Sequence, residues 1–289
     1  SIRINKELSR INEWLEINKL SLNTDKTKYM IFHNRQKNIE SYDELKLKIN
    51  DVPIKRVYFF NFLGIVINEN LTWNNHISYI SQKISPVVGI INRLKNQLPT
   101  RILKMIYNSL ILSRLHYGNI LWGGNPGSLL RLNKRGLRAI TGAGINAHTI
   151  PICKKLKILS LPDIHQTKLF CLYKQHIDNK LPTNIHNIFQ AINSSEPQDP
   201  RTSAYRSTIR YQLPALIHSA PTELLDKIHS VSYTAFKWKA KTYMLDRYSS
   251  LCTDIGCRVC HLPVISDSEK FTRTITDSIT YQTALDMEM

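Results

Sequence analysis

Between Asn70 and Pro162 the chain carries no aspartate and no glutamate, yet the same window holds thirteen lysines and arginines. They are Lys83, Arg93, Lys95, Arg101, Lys104, Arg114, Arg131, Lys134, Arg135, Arg138, Lys154, Lys155 and Lys157. The apolar residues of this window recur at helical spacing. Helices that face only water mix their signs, because like charges at i,i+4 repel. A helical region without carboxylates therefore has a partner that supplies the negative charge, and a phosphate backbone is the natural one. Arg131, Lys134, Arg135 and Arg138 fall along one helix face and read as a contact stripe. Lys83, Arg93 and Lys95 are further candidate contacts. Arginine grips phosphate oxygens bidentately, whereas lysine acts as a point charge. The competing reading is a basic surface with no partner.

The window accounts for 13 of the 17 net positive charges of the 289-residue chain. A hydrophobic content of 42% with 21% charged residues is that of a folded chain with ample core. A pI near 9.7 points to a polyanion, most often nucleic acid and less often an anionic membrane surface. No run of eighteen apolar residues occurs, so no membrane span is expected. The opening Ser-Ile-Arg-Ile-Asn-Lys-Glu is neither a signal nor a transit peptide and lies already inside a helical pattern. The expectation is the back portion of a longer polypeptide. Five cysteines make no disulfide scaffold and fit a reducing compartment, nuclear or cytoplasmic.

Read in order, Ile4, Leu8, Ile11 and Leu15 predict an amphipathic helix over 3–18, with Trp14 widening its apolar face. Thr24-Asp25 makes a turn, and Lys26 to His33 reads as a strand buried on both faces. Residues 34–44 are loop-like. Leu45 to Ile49 and Val52 to Phe59 form a hairpin around Asn50-Asp51, with Pro53 at an edge. Phe60 to Ile67 is a last strand. From Trp73 the period turns helical. Helices are expected over 76–97, broken or kinked at Pro86, from Pro99 to about Trp122, and over 128–141. One or two more run over 151–179 around Pro162. Residues 180–208 read as a linker, 209–217 as a short strand, 231–248 as a helix, and the tail after Pro263 as weakly structured. The fold class is α+β: an antiparallel sheet with a helix over 1–70, a helical domain over 71–145, a mostly helical region over 146–262, and a tail over 263–289.

Trp14 is followed by Asn18-Lys19-Leu20-Ser21-Leu22-Asn23-x-x-Lys26-Thr27-x-x-Met30, and later by Phe62-Leu63-Gly64. This resembles the end of the palm domain of non-LTR retrotransposon reverse transcriptases. The resemblance continues through Trp73-x-x-His76-Ile77, Lys83-Ile84-Ser85, Arg93-Leu94-Lys95, Tyr107-x-Ser109-Leu110, His116-Tyr117-Gly118 and Trp122-Gly123. That stretch is similar to the thumb of these polymerases. It extends more weakly to Arg210-Tyr211-x-Leu213-Pro214 and Phe236-Lys237-x-Lys239.

The resemblance implies a C-terminal fragment of an RNA-directed DNA polymerase, gripping an RNA–DNA or DNA primer–template duplex beside upstream palm and fingers of the same polypeptide. It implies that Lys26 assists catalysis, with Lys28 as its competitor and an exposed lysine beside Asp25 as the plain alternative. It implies that Phe62, Leu63 and Gly64 form the primer grip, against a plain strand with a glycine bulge. The family uses Mg²⁺ held by paired aspartates. This sequence has no Asp-Asp dipeptide, and Asp25, Asp43 and Asp51 are not placed as a pair, so the fragment is expected to hold no cofactor and not to polymerise by itself. The rival readings are a stand-alone basic nucleic-acid-binding remnant and a helical interaction protein that meets an acidic partner.

Cys252-x4-Cys257-x2-Cys260-His261 is the one metal-like cluster. The side chains of adjacent Cys260 and His261 diverge and the spacing matches no standard zinc knuckle, so no metal is expected. Cys153 and Cys171 read as packing residues. His76 and His116 read as polar tips on thumb helices.

Overall fold

The computed structural model describes residues 2–33, 45–193 and 208–251. The chain divides into two compact units, Ser1–Tyr79 and Ile80 onward.

In the first unit, helix α1 (Ile2–Ile17) ends in a left-handed cap. Leu20 N–H donates to the Leu15 carbonyl (2.8 Å) and Lys19 N–H to that of Glu16 (2.9 Å). Lys19 takes φ +57°, where glycine is the usual occupant. Next comes a turn built by Asn23. Its Oδ1 accepts the Lys26 N–H (3.0 Å), and its carbonyl accepts both the Thr27 N–H (3.1 Å) and the Thr27 hydroxyl (2.8 Å). The Asn-x-x-Lys-Thr string is thus a self-contained turn.

Six short strands follow: β1 (Lys28–Tyr29), β2 (Lys48–Ile49), β3 (Val52–Pro53), β4 (Lys55–Arg56), β5 (Phe59–Phe62) and β6 (Ile65–Asn68). They do not join into the expected antiparallel sheet. Among the described residues they form three two-stranded ladders, antiparallel for β2–β3 and β5–β6 but parallel for β1–β4. The expected strand over 26–33 shrinks to two residues, because Lys26 belongs to the Asn23 turn. The expected strand over 60–67 folds back on itself at Leu63-Gly64. Both residues have positive φ (+48° and +82°), the geometry of a two-residue hairpin turn. The loop expected over residues 34–44 lies outside the described residues.

The core of this unit is small. Leu47, Ile49 and Ile54 are buried, with Leu8, Leu22, Tyr29 and Leu45 packed against them. The Asn5 side chain locks α1 to the β2 edge, donating to the Lys46 carbonyl and accepting the Lys48 N–H, each at 3.1 Å. The expected apolar face of α1 is only half used. Leu8 and Leu15 are half-buried, whereas Ile4, Ile11 and Trp14 are exposed.

Helix α2 (Asn74–Leu94) crosses the boundary between the units and continues through Pro86 without a break. It buries Ile84, Val87, Val88 and Ile91. The single helix expected from Pro99 to Trp122 is instead four segments. They are α3 (Thr100–Tyr107), a π-helical turn (Asn108–Leu112), α4 (Ser113–His116) and α5 (Asn119–Trp122). Tyr117 is extended and Gly118 left-handed (φ +59°), which turns the chain before α5. Helix α6 (Ser128–Thr141) ends at left-handed Gly142, as its glycine-rich exit implies.

Helices α7 (Thr149–Leu156) and α8 (Leu161–Ile177) are separated just before Pro162. Ser160 caps α8, its Oγ accepting the Asp163 N–H (3.4 Å). The expected linker is in part α9 (Thr183–Asn193). The expected strand over 209–217 is α10 (Ile209–His218), because Ile209, Leu213, Leu216 and Ile217 lie on one helical face against α8 and α9. Helix α11 (Thr222–Ser230) precedes α12 (Tyr233–Leu251). Phe236, Ala240 and Met244 of α12 meet Ile164 and Phe170 of α8 and Leu224 and Ile228 of α11 in one buried cluster. No described helix is long and apolar enough to cross a membrane.

Candidate nucleic-acid interface

Helix α6 is amphipathic. Leu129, Asn133, Gly136, Leu137 and Ile140 are buried, which turns Arg131 and Arg135 to solvent. The close side has no room for a side chain at residue 136: a Cβ there would sit 3.3 Å from the Tyr107 ring and 3.5 Å from Val88. Tyr107 is fully buried and donates its hydroxyl to Asn133 Oδ1. Burial, then Cys153, raises its pKa, so it stays a neutral donor. This contact holds α3 and α6 together and fixes which way the α6 arginines face.

The four-residue stripe is not uniform. Arg138 is half-buried, and its Nε donates to the Ala147 carbonyl (2.8 Å), tying the end of α6 to the following loop. Lys134 is half-buried, close enough to the Cys153 thiol to pull that thiol's pKa down against the burial that pushes it up to about 12. Arg131 and Arg135 are the exposed pair. On α2, Lys83 and Arg93 are exposed, and Lys95 just beyond it is half-buried.

The two acids that bound the acid-free window do not offset its charge at the surface. Glu69 is engaged by Arg56 Nη2 and His33 Nε2, each at 3.4 Å. Asp163 accepts the hydroxyls of Ser160 and Tyr248. Both carboxylates face into their own unit, so the positive field extends beyond the window. Sequence reading missed this because it counted Asp163 as the window's end.

Lys26 lies exposed in the Asn23 turn rather than on the strand expected over 26–33. Lys28 is half-buried and folds back to donate to the Asp25 carbonyl. Phe62 and Leu63 are exposed (58% and 76%), at the end of β5 and in the tight turn with Gly64. Phe60 and Phe62 line a small apolar cleft of about 200 Å³ with Tyr29, Val57 and Ile67.

His76 is not a polar tip. It is 1% exposed, and its Nδ1 accepts the Val66 N–H (3.2 Å), anchoring the start of α2 to β6. Burial lowers its pKa and keeps it neutral. Among the described residues no three His, Cys, Asp or Glu side chains come together where they could hold a metal ion. The described residues therefore assemble no ligand set that fits Mg²⁺. Cys153 and Cys171 are buried. Cys252, Cys257, Cys260 and His261, Asp43 and the tail lie outside the described residues.

The chain is similar to the RNA-directed DNA polymerase from mobile element jockey of Drosophila melanogaster, 25% identical over 222 residues. That match covers 73% of this chain but only 23% of the relative. It supports a relationship to the reverse transcriptases of such elements. No family model and no solved structure matches the chain.

Proposed function

We propose that this chain is the portion of a non-LTR retrotransposon reverse transcriptase that follows its catalytic aspartates. Residues 1–70 close the palm and 71–145 form the thumb, and the chain grips the primer–template duplex. The observation that carries the reading is the exposed Arg131 and Arg135 of α6 within a helical segment that has no carboxylate between Asn70 and Pro162. Phosphates of an RNA–DNA duplex supply the missing negative charge. Lys83, Arg93 and Lys95 extend the same contact, Lys134 adds charge, and Arg138 holds the end of α6 in place as well as adding charge. In the first unit, Phe62, Leu63 and Gly64 present a tight hairpin tip to the primer end, and Lys26 stands free of its strand. Nucleotidyl transfer belongs to paired aspartates that this sequence does not contain, so the chain binds and does not polymerise. Its location is nuclear or cytoplasmic, as the cysteine usage expects.

The test is binding of the 289-residue chain to an RNA–DNA primer–template at several salt concentrations. If about six basic groups touch phosphate, log K against log salt slopes at about −4 to −5. Arg131→Ala with Arg135→Ala makes that slope shallower by about 1.8. A slope near zero in the parent chain overturns the reading and favours an acidic protein partner.

A further inference from the structure

One recess of the second unit is separate from the α6 stripe, and none of Arg131, Lys134, Arg135 and Arg138 lines it. Its volume is about 710 Å³. Three helical stripes build its walls. From α12 come Lys237, Trp238 and Lys241, at i, i+1 and i+4. Lys237 and Lys241 flank the face that Phe236, Ala240 and Met244 bury in the core, and Trp238 lies opposite it. From α8 come Ile164, Lys168, Cys171 and Leu172. From α3 to α4 come Lys104, Asn108, Leu112 and His116, each four residues after the last. The π-helical turn Asn108–Leu112 lies within this last wall, and such turns recur at functional sites. Lys157 closes one end in a left-handed conformation (φ +53°) that a lysine rarely adopts.

Among the described residues, five lysines (Lys104, Lys157, Lys168, Lys237 and Lys241) line this recess and no aspartate or glutamate does. Like charges at this density oppose one another until an anion joins them. Their mutual effect is visible in the groups between them. Burial, then Lys168, Lys237 and Lys241, hold His116 down to about 4, so it is neutral at pH 7. Burial, then Lys237, lower Lys168. Beneath the cations lies an apolar floor of Leu112, Ile164 and Leu172, and on the lip stands Trp238, 66% exposed. A tryptophan left in water beside two lysines is an unpaired stacking surface.

We infer that this recess binds single-stranded nucleic acid, with phosphates on the lysine rim and a base stacked on Trp238. A recess of this size admits about one or two unpaired nucleotides and not a double helix. Cationic rim, aromatic platform and apolar floor are the parts that sequence-tolerant single-strand binding uses. An acidic peptide would satisfy the lysines but leave the Trp238 face and the floor without a partner. The inference does not rest on the duplex contact proposed for α6.

The experiment uses the full 289-residue chain and a fluorescein-labelled oligothymidylate, read by anisotropy across a salt series. The variants are Lys237→Gln with Lys241→Gln, and Trp238→Ala. All three positions are exposed, so circular dichroism and the thermal midpoint should match the parent. The double lysine variant is expected to lose roughly tenfold in affinity and to reduce the salt slope by about 1.4. Trp238→Ala is expected to lose about five- to tenfold with its salt slope unchanged. Duplex binding should move little in either. Unchanged oligothymidylate binding in the folded variants overturns the inference. So does equal displacement of the probe by tripolyphosphate or polyglutamate at matched charge. The two sites fail separately: the α6 variants bear on duplex, the α12 variants on single strand.

Discussion

The two units spend their aromatic residues in opposite ways. The second unit buries Tyr107, Trp122, Phe170, Phe236 and Tyr248 almost completely. Among the described residues the first unit buries no Phe, Tyr or Trp, and it exposes Trp14, Phe32, Phe59, Phe60 and Phe62. The second unit therefore has a core that can hold its helices by itself. The first has two-stranded ladders, which are marginal alone, and among its described residues it buries only the aliphatics Leu47, Ile49, Ile54, Ile65, Val66 and Ile77. An exposed apolar surface of this kind marks a face that another surface covers. In the proposed polymerase that cover is the rest of the palm and the fingers. In the proposed polymerase the contrast separates two uses: the second unit's buried aromatic residues serve packing, and the first unit's exposed ones serve a contact outside this chain.

The largest expected effect tests that contrast directly. Phe236→Ala removes a fully buried ring from the α8–α11–α12 cluster and should cost about 3–5 kcal/mol. Phe60→Ala in the first unit should stay within about 0.5 kcal/mol and raise solubility. Urea melts followed by circular dichroism check both. A large loss at Phe60 would mean that its ring is packed after all and would erase the contrast.

Next is Gly123→Ala. A Cβ there would lie 2.5 Å from the Asn119 carbonyl oxygen and 2.6 Å from both Asn119 Oδ1 and His165 Nδ1. Two of these atoms belong to a buried polar node, in which His165 Nδ1–H donates to the Asn119 carbonyl (3.1 Å) and Nε2 meets the Gln212 side-chain amide (2.7 Å). The node has no slack, so the extra methyl should cost about 1–3 kcal/mol. A thermal midpoint equal to the parent's would show that the α5–α8 junction can relax.

The same node makes the fold sensitive to acid. Burial lowers the pKa of His165 against the raising effect of its two hydrogen bonds, and burial alone lowers that of His76. A histidine whose folded pKa lies below its unfolded value of about 6.5 is held neutral by the fold. The unfolded chain then binds more protons in that window. Stability is fully present above about 6.5 and falls as pH drops through 6.5 toward the folded pKa. Urea midpoints taken at falling pH should decline from there, and His165→Gln should flatten the decline while lowering the starting value. A midpoint that rises on acidification would reverse the assignment.

How much of this was legible in the sequence follows from what each signal measures. Helices α6, α8 and α12 were readable because capping and glycine or proline punctuation coincide with their ends, as at Gly142 and Pro162. Helix α10 was misread because Ile209 to Ile217 is apolar on alternate and helical positions alike, and only the surfaces of α8 and α9 decide between them. The π-helical turn has no sequence mark. Arg131 and Arg135 were legible as exposed because Asn133, Gly136 and Leu137 face inward. Arg138 was not, because its partner is the backbone of Ala147. The lysine-lined recess was hidden because Lys104, Lys157, Lys168 and Lys241 come from four separate segments. The Asn23 turn was legible only as a family string, whose physical content is two side-chain hydrogen bonds.

The smallest effect is the most specific to the first unit. Leu63 holds φ +48° at the β5–β6 turn, beside Gly64 at +82°. A two-residue turn of this kind favours Asn-Gly, and a leucine in the left-handed region costs about 1 kcal/mol. Leu63 is also 76% exposed, so packing within its unit does not hold it there. Leu63→Asn should therefore stabilise the hairpin by about 1 kcal/mol, seen as slower amide exchange at Phe60 and Ile67. If the tip touches a primer end, the same substitution should weaken primer–template binding while leaving the salt slope set by α6 unchanged. Slower exchange with undiminished binding would take the hairpin out of the proposed interface while Arg131 and Arg135 remained.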